Sequence, residues 1–349
     1  MHYKLLGKSG LRVAELCLGT MTFGEEWGFG ADKAESKAIF DAYSAAGGNF
    51  VDTANRYTEG TSEKYVGEFI HSERDSIVLA TKYSLMTKRG DPNAAGNHRK
   101  SMARSLEGSL TRLNTDYIDI YWVHIWDFLT PVEEVMRGLD DLVRSGKILY
   151  IGISDTPAWI VSQANTLAEL RGWTSFIGLQ TEYSLIERTP ERDLLPMART
   201  LDIGVTAWAP LGSGVLTGKY NRPPSHNPEP NRHSDDGPNS RRLSPRNLAI
   251  AEAVQVIAEE VGRPASQVAL NWLRQRPGVV IPVIGSRKAG QIKDNLACLE
   301  FTLTERQLHH LHEVSKIELG FPHDFMLMEG IQEITYAGMA SVIENHRPR

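Results

Sequence analysis

The sequence predicts an α/β chain of the (β/α)8 TIM barrel class, and three observations carry that reading. Short β-branched or aromatic runs alternate with longer charged segments of helical period, the runs number eight, and their unusual polar residues cluster at the C-terminal ends. Each run is nearly continuous in apolar residues and bounded by turn residues, as parallel strands buried on both faces are. The runs are 15–19, 49–54, 77–83, 117–124, 149–154, 176–183, 203–210 and 279–285. Between them the periodicity predicts helices over 33–46, 62–71, 98–113, 131–145, 157–170 and 191–200, with two more over 249–262 and 265–278. Eight strand–helix units favour a closed barrel over an open sheet, and a barrel gathers its chemistry at the C-terminal strand ends. Asp52, Lys82, His124, Ser154, Gln180 and Trp208 all fall there.

Three segments lie outside the repeat. YKLLGKSGLRVAE reads as an N-terminal β-hairpin around Gly7–Gly10, placed to plug the barrel bottom. The Pro-, Asn-, Arg- and Ser-rich stretch at about 221–245 reads as a lid or loop, because the barrel pattern resumes after it. The C-terminal segment, about 316–349, is compatible with a strap over the active-site face. Residues 1–349 are therefore expected to form a single barrel domain with long loops, although length alone would allow two.

Composition narrows the function classes. The chain has 349 residues, with 38 Lys+Arg against 43 Asp+Glu, a formal charge of −5 that argues against nucleic acid as the main partner. The longest apolar runs are strand-sized, so no membrane partner is expected. The start MHYKLLGKSGLRV lacks a signal-peptide pattern, which makes a cytoplasmic location the expectation. Cys17 and Cys298 stand in apolar surroundings and read as buried free thiols. His309, His310 and His312 cluster without carboxylate or cysteine partners at ligand spacing, so no metal is expected. A homo-oligomer is compatible with the sequence.

Four residues carry the chemistry: Asp52 and Tyr57 in DTANRYTEG, Lys82 in ATKYS and His124 in YWVHIWD. In a barrel they come from the neighbouring second, third and fourth strands. A phenol with an ordinary pKa near 10 needs help to act as an acid. An ammonium stabilises its phenolate, a carboxylate holds the ammonium, and an imidazole orients the substrate oxygen. Singly, Asp52 also fits a helix cap, Lys82 an ion-pair partner and His124 a core histidine. Four such residues at consecutive strand ends fit catalysis better.

Along essentially its whole length the sequence resembles the aldo-keto reductases. GKSGLRVAELCLGTMTFG, NFVDTANRYTEGTSE, LATKYS, YIDIYWVHIWD, GKILYIGISD, LQTEYSL, WAPLGSGVLTGKY and VIGSRKAGQIKDN follow that family's order. GTMTFGEEWG and LGFPHDF resemble its microbial aryl-alcohol dehydrogenase-like branch. The resemblance implies that the family's Asp, Tyr, Lys and His tetrad falls on Asp52, Tyr57, Lys82 and His124. Tyr57 would then be the general acid, with hydride passing from NADPH to a carbonyl carbon, or back to NADP+ from an alcohol.

No Rossmann unit supports that cofactor. GSGVLTG (212–218) has its third glycine one position late and follows the seventh strand, although its backbone can still meet a pyrophosphate. The resemblance places Ser154, Asp155 and Gln180 against the nicotinamide carboxamide, Asp155 standing where Asn is commoner. It gives Trp208 the stacking role that Tyr more often fills. It also implies cofactor contacts from Gly19, Thr20, Met21, Asp52, Leu211, Gly212 and Gly214. After the eighth run, Gly285 and Ser286 are expected to open a phosphate-binding helix, with Arg287 on a 2′-phosphate and Gln291 and Asn295 facing the adenine. Arg287 with Lys288 favours NADPH over NADH.

For the substrate, a small carbonyl compound or alcohol, Trp27, Tyr57, His124 and Trp126 are the expected contacts, with Phe128 and Met86 near the rim. Two other functions share these residues. A lyase could use Lys82 as a Schiff-base nucleophile, and an NADPH-sensing auxiliary subunit could keep the tetrad with little turnover.

Overall fold

The computed structural model describes residues 1–221 and 242–344. An antiparallel hairpin of β1 (Tyr3–Leu5) and β2 (Arg12–Ala14) opens the chain. A closed barrel of eight parallel strands follows: β3 (Cys17–Gly19), β4 (Phe50–Asp52), β5 (Val78–Tyr83), β6 (Ile118–Val123), β7 (Ile148–Ser154), β8 (Phe176–Glu182), β9 (Gly204–Trp208) and β10 (Val280–Ile284). β10 pairs in parallel with both β9 and β3, which closes the ring. All eight expected strands are present. Their helices follow in turn: α1 (Lys33–Ala45), α2 (Thr61–Ile70), α3 (Arg99–Leu113), α4 (Val132–Arg144), α5 (Ala158–Arg171), α6 (Leu194–Thr200), α7 (Pro245–Val261), α8 (Ala265–Arg274) and α9 (Ala289–Leu296). Helix α10 (Glu305–Ser315) packs against α7 and opens with a capping box between Thr304 and Gln307.

The hairpin covers the N-terminal end of the barrel. Leu6, just past β1, is wholly buried among Cys17, Phe50, Val78, Ile177 and Ile281. Burying such a side chain contributes about 2 kcal/mol. Above it, the Trp122 indole fills the barrel axis because β7 and β8 carry glycine beside it. A Cβ on Gly152 would stand 2.2 Å from that ring, and one on Gly178 2.6 Å. The barrel is thus packed solid at its base, and its opposite end is left for chemistry.

The expected lid at 221–245 lies almost wholly outside the described residues. Its C-terminal flank is ordered by Ser244, whose side chain caps α7 with Pro245 in the first turn. The C-terminal segment differs from the strap the sequence allows. After Arg192 donates to the Glu318 carbonyl at 3.0 Å, residues 320–344 bury no side chain, and Phe321, Leu327 and Ile334 stay exposed. Its two short α-helices (His323–Met326 and Glu329–Thr335) leave Phe325, Met326 and Met328 exposed as well. Cys17 and Cys298 are both buried and unpaired. No helix among the described residues is long and apolar enough to cross a membrane.

Candidate active site

Asp52 ends β4, Lys82 is the penultimate residue of β5, and His124 follows β6 directly. Parallel register therefore delivers all three to the same barrel mouth. Lys82 is wholly buried; its Nζ forms an ion pair with Asp52 Oδ2 and donates to the Thr53 carbonyl at 2.8 Å. The other carboxylate oxygen accepts from Gln180 Nε2 at 3.1 Å, tying β8 across the barrel to β4. Tyr57 reaches the group from the loop after β4. The Lys82 ammonium lies 4.8 Å from its ring centre, and the His124 imidazole meets it edge-on at 5.8 Å.

The electrostatics follow from this packing. Burial pushes the Tyr57 phenol up, and the opposing Lys82 charge does not fully offset it, so the phenol keeps its proton. Burial disfavours the Lys82 ammonium, but Asp52 and Tyr57 outweigh it and raise its pKa overall. His124 is held well below its usual range by burial first and Lys82 repulsion second, which leaves a neutral imidazole. Its Nδ1 is buried without a partner. The arrangement holds a protonated phenol against a fixed ammonium, with a neutral hydrogen-bonding ring beside it.

Two loops are locked together to position His124. Ser84 and Ile125 exchange hydrogen bonds, each 3.1 Å, and Asn97 and Asp127 exchange two more, each 2.7 Å. Asn97, itself fully buried, also donates to the Ile125 carbonyl at 2.8 Å. Nothing in the sequence pattern marked this clamp. Trp27 meets Tyr57 edge-on at 6.4 Å and donates to Glu59 at 3.1 Å, so it flanks the phenol. Trp126 does not line the opening in the same way: it is 7% exposed and packs within the main core. Its flanking residues Ile125, Phe128 and Leu129 are the exposed apolar groups of that loop. Met86 is half-buried.

The expected cofactor residues divide. Ser154 and Trp208 end β7 and β9, and Gln180 stands two residues before the end of β8. Asp155 accepts through Oδ1 from the Trp208 indole Nε1 at 3.1 Å. It is open to the mouth yet has protein around most of it, and that burial pushes its carboxyl up to about 6. Leu211 packs against the core, and Gly212, Ser213 and Gly214 have successive positive φ values of 55°, 55° and 93°. Such a turn suits glycine, and a Cβ on Gly212 would stand 2.3 Å from Ile186. Gly19 ends β3, Met21 is exposed, and the Thr20 hydroxyl is engaged with Ser62 and the Asp52 carbonyl.

The helix after β10 begins later than expected. Gly285 and Ser286 precede it, and α9 starts at Ala289, because the Lys288 backbone is extended. Gln291 folds back to accept from the Arg287 N–H at 3.0 Å. Asn295 is buried, and the Ser286 hydroxyl is buried without a hydrogen-bond partner. His309, His310 and His312 lie on α10, and no group of three or more metal-ligating side chains occurs among the described residues.

Two further residues were not legible in the sequence. Asn55, between Asp52 and Tyr57, buries both side-chain polar atoms without partners. Arg242 forms an ion pair with Glu182, bonds the Ser213 hydroxyl, and sets its guanidinium 5.9 Å from the Trp208 ring centre. Asn55 hides within a motif already explained, and Arg242 follows a low-complexity stretch that has no period to read.

Residues 15–316 match the sequence profile of the Aldo/keto reductase family. The chain is 38% identical over 339 residues to a norsolorinic acid reductase of Aspergillus flavus, covering 93% of this chain and 84% of that protein. It is 37% identical over 345 residues to an aryl-alcohol dehydrogenase [NADP(+)] of Phanerodontia chrysosporium, covering 92% and 88%. A norsolorinic acid reductase B of Dothistroma septosporum is 37% identical over 359 residues, covering 98% and 89%. With a closed barrel, a polar cluster at its C-terminal mouth and a profile match over most of its length, the chain belongs to the aldo/keto reductase family of oxidoreductases.

Proposed function

We propose that this oxidoreductase uses NADPH to reduce an aldehyde or ketone to its alcohol, and NADP+ to run the reverse oxidation. The observation that carries the reading is the buried Lys82–Asp52 ion pair set beneath a phenol that keeps its proton. Tyr57 donates that proton to the carbonyl oxygen. The Lys82 ammonium, fixed by Asp52, stabilises the phenolate left behind, and the neutral His124 ring orients the oxygen that receives the proton.

The residues present fit a nicotinamide dinucleotide. The orphaned Ser286 hydroxyl and the positive-φ turn at Gly212–Gly214 offer polar and backbone groups to phosphates. Arg287 supplies a fork for a 2′-phosphate, which favours the phosphorylated cofactor. Ser154 and Gln180 hold the carboxamide end, and Gly19, Met21, Leu211, Gly285, Gln291 and Asn295 line the remainder. When bound, NADPH supplies the hydride that reaches the carbonyl carbon.

Trp27 beside Tyr57, with Ile125, Phe128 and Leu129 exposed nearby, suits a bulky aromatic carbonyl. The names of the relatives, an aryl-alcohol dehydrogenase and norsolorinic acid reductases, support that substrate class. Lys82 is poorly placed as a Schiff-base nucleophile, being fully buried and held as an ammonium by Asp52. The test is NADPH oxidation with 4-nitrobenzaldehyde by wild type and Tyr57→Phe. The variant should lose about a hundredfold or more in kcat, and an equal rate would remove Tyr57 from the acid role.

A further inference from the structure

At the barrel mouth two residues, Asp155 and Trp208, meet in one contact. Asp155 is the first residue after β7, at a positive φ of 41°. That turn carries its side chain across the end of β8 to Trp208, the last residue of β9, where Oδ1 accepts from the indole Nε1 at 3.1 Å. A phenol ring at 208 would have no N–H at that place, and an alanine at 155 would have no acceptor. Arg242 lies over the indole ring, 5.9 Å from its centre, and is itself held by Glu182 and Ser213. The indole is therefore held at one edge by a carboxylate and approached on one face by a guanidinium.

We infer that Asp155 is a positioning residue: its hydrogen bond fixes the plane of the Trp208 indole against which the nicotinamide stacks. The inference rests on the proposed NADPH function and assigns Asp155 a task different from gripping the carboxamide, which leaves that group to Ser154 and Gln180. A rigid stacking surface binds a flat ring more tightly than a rotating one, because less side-chain freedom is lost on binding. Residues acting as one unit must also show non-additive substitutions.

The experiment is calorimetric NADPH titration of wild type, Asp155→Ala, Asp155→Asn, Trp208→Phe and the Asp155→Ala/Trp208→Phe double variant. It is paired with the indole N–H resonances of the 15N-tryptophan-labelled proteins. Asp155→Ala should weaken NADPH about three- to tenfold, in line with losing one hydrogen bond of ordinary strength. It should also shift the Trp208 indole resonance. Asp155→Asn should restore both, since the amide oxygen accepts from the same N–H. Trp208→Phe keeps a ring but no donor, so Asp155→Ala should add nothing to it.

Equal effects of Asp155→Ala in the wild-type and Trp208→Phe backgrounds would overturn the coupling, as would an Asp155→Asn that behaves like alanine. A wild-type chain that binds no NADPH would sink the functional reading and the stacking role with it. The indole resonance would still decide whether the pair exists.

Discussion

Replacing Lys82 by methionine keeps the length of the side chain and removes its charge, and two separate losses follow from the geometry. The first is catalytic. At an effective dielectric of about 20, a unit charge 4.8 Å from the centre of the Tyr57 ring is worth roughly 3 kcal/mol to a developing phenolate. That corresponds to a loss on the order of a hundredfold in rate. The second is structural. Asp52, 2% exposed, would keep Gln180 as its one side-chain partner among the described residues, and leaving one member of a buried pair uncompensated costs about 3–5 kcal/mol. The two losses separate in the double variant Lys82→Met/Asp52→Asn, which removes the stranded charge but not the catalytic defect. Urea unfolding should place its stability well above that of Lys82→Met and near wild type. Single-turnover NADPH oxidation with 4-nitrobenzaldehyde should find both variants equally slow. If the double variant were no more stable than the single one, the buried Asp52 charge would not be the source of the cost. Wild-type turnover by either would refute the part given to Lys82.

Asn97→Ala strands the Asp127 N–H and releases the His124 loop, so urea unfolding should show a loss of about 2–3 kcal/mol. KM for an aromatic aldehyde should rise with it, and an unchanged KM would show that the clamp does not position the site. His124 has its folded pKa below the unfolded value near 6.5, so the unfolded chain binds the extra proton between those two values. Its contribution is therefore lost as pH falls below about 6.5. The stability difference between wild type and His124→Asn, from urea midpoints at about pH 7.5, 6 and 5, should move against wild type with acidification; a flat difference would contradict a depressed imidazole. Arg287→Ala should raise the Kd for NADPH on the order of tenfold and leave that for NADH nearly unchanged. Equal effects on the two would remove the 2′-phosphate role.

The barrel was legible because its strands are buried on both faces and its helices on one, so that period alone separates them. The candidate site was legible for a related reason: Asp52, Lys82 and His124 are polar residues at the ends of runs that are otherwise apolar, and the barrel brings them to one mouth. What the sequence did not carry was direction rather than residue type. Trp126 lies two residues beyond His124, yet Ser84 and Asn97 turn the loop so that its indole enters the core and Phe128 is left outside. Asp155 can accept from an amide, and its positive φ also brings it to the Trp208 indole, a contact that no sequence pattern marks. The start of α9 slipped for the same reason, since Gly285 and Ser286 favour a helix opening but an extended Lys288 backbone delays it to Ala289. Each case is a local turn that the residue pattern does not encode. Asp52 and Lys82 escaped because strand register and their ion pair fix both, which leaves no turn to redirect them. Tyr57 alone sits on a loop, and it is held in place by packing against Trp27 and His124 and by the charge of Lys82. The residue that does the proposed proton transfer is thus the one whose position depends most on its neighbours, and substitutions at Trp27 should disturb it more than equally conservative ones on the barrel strands.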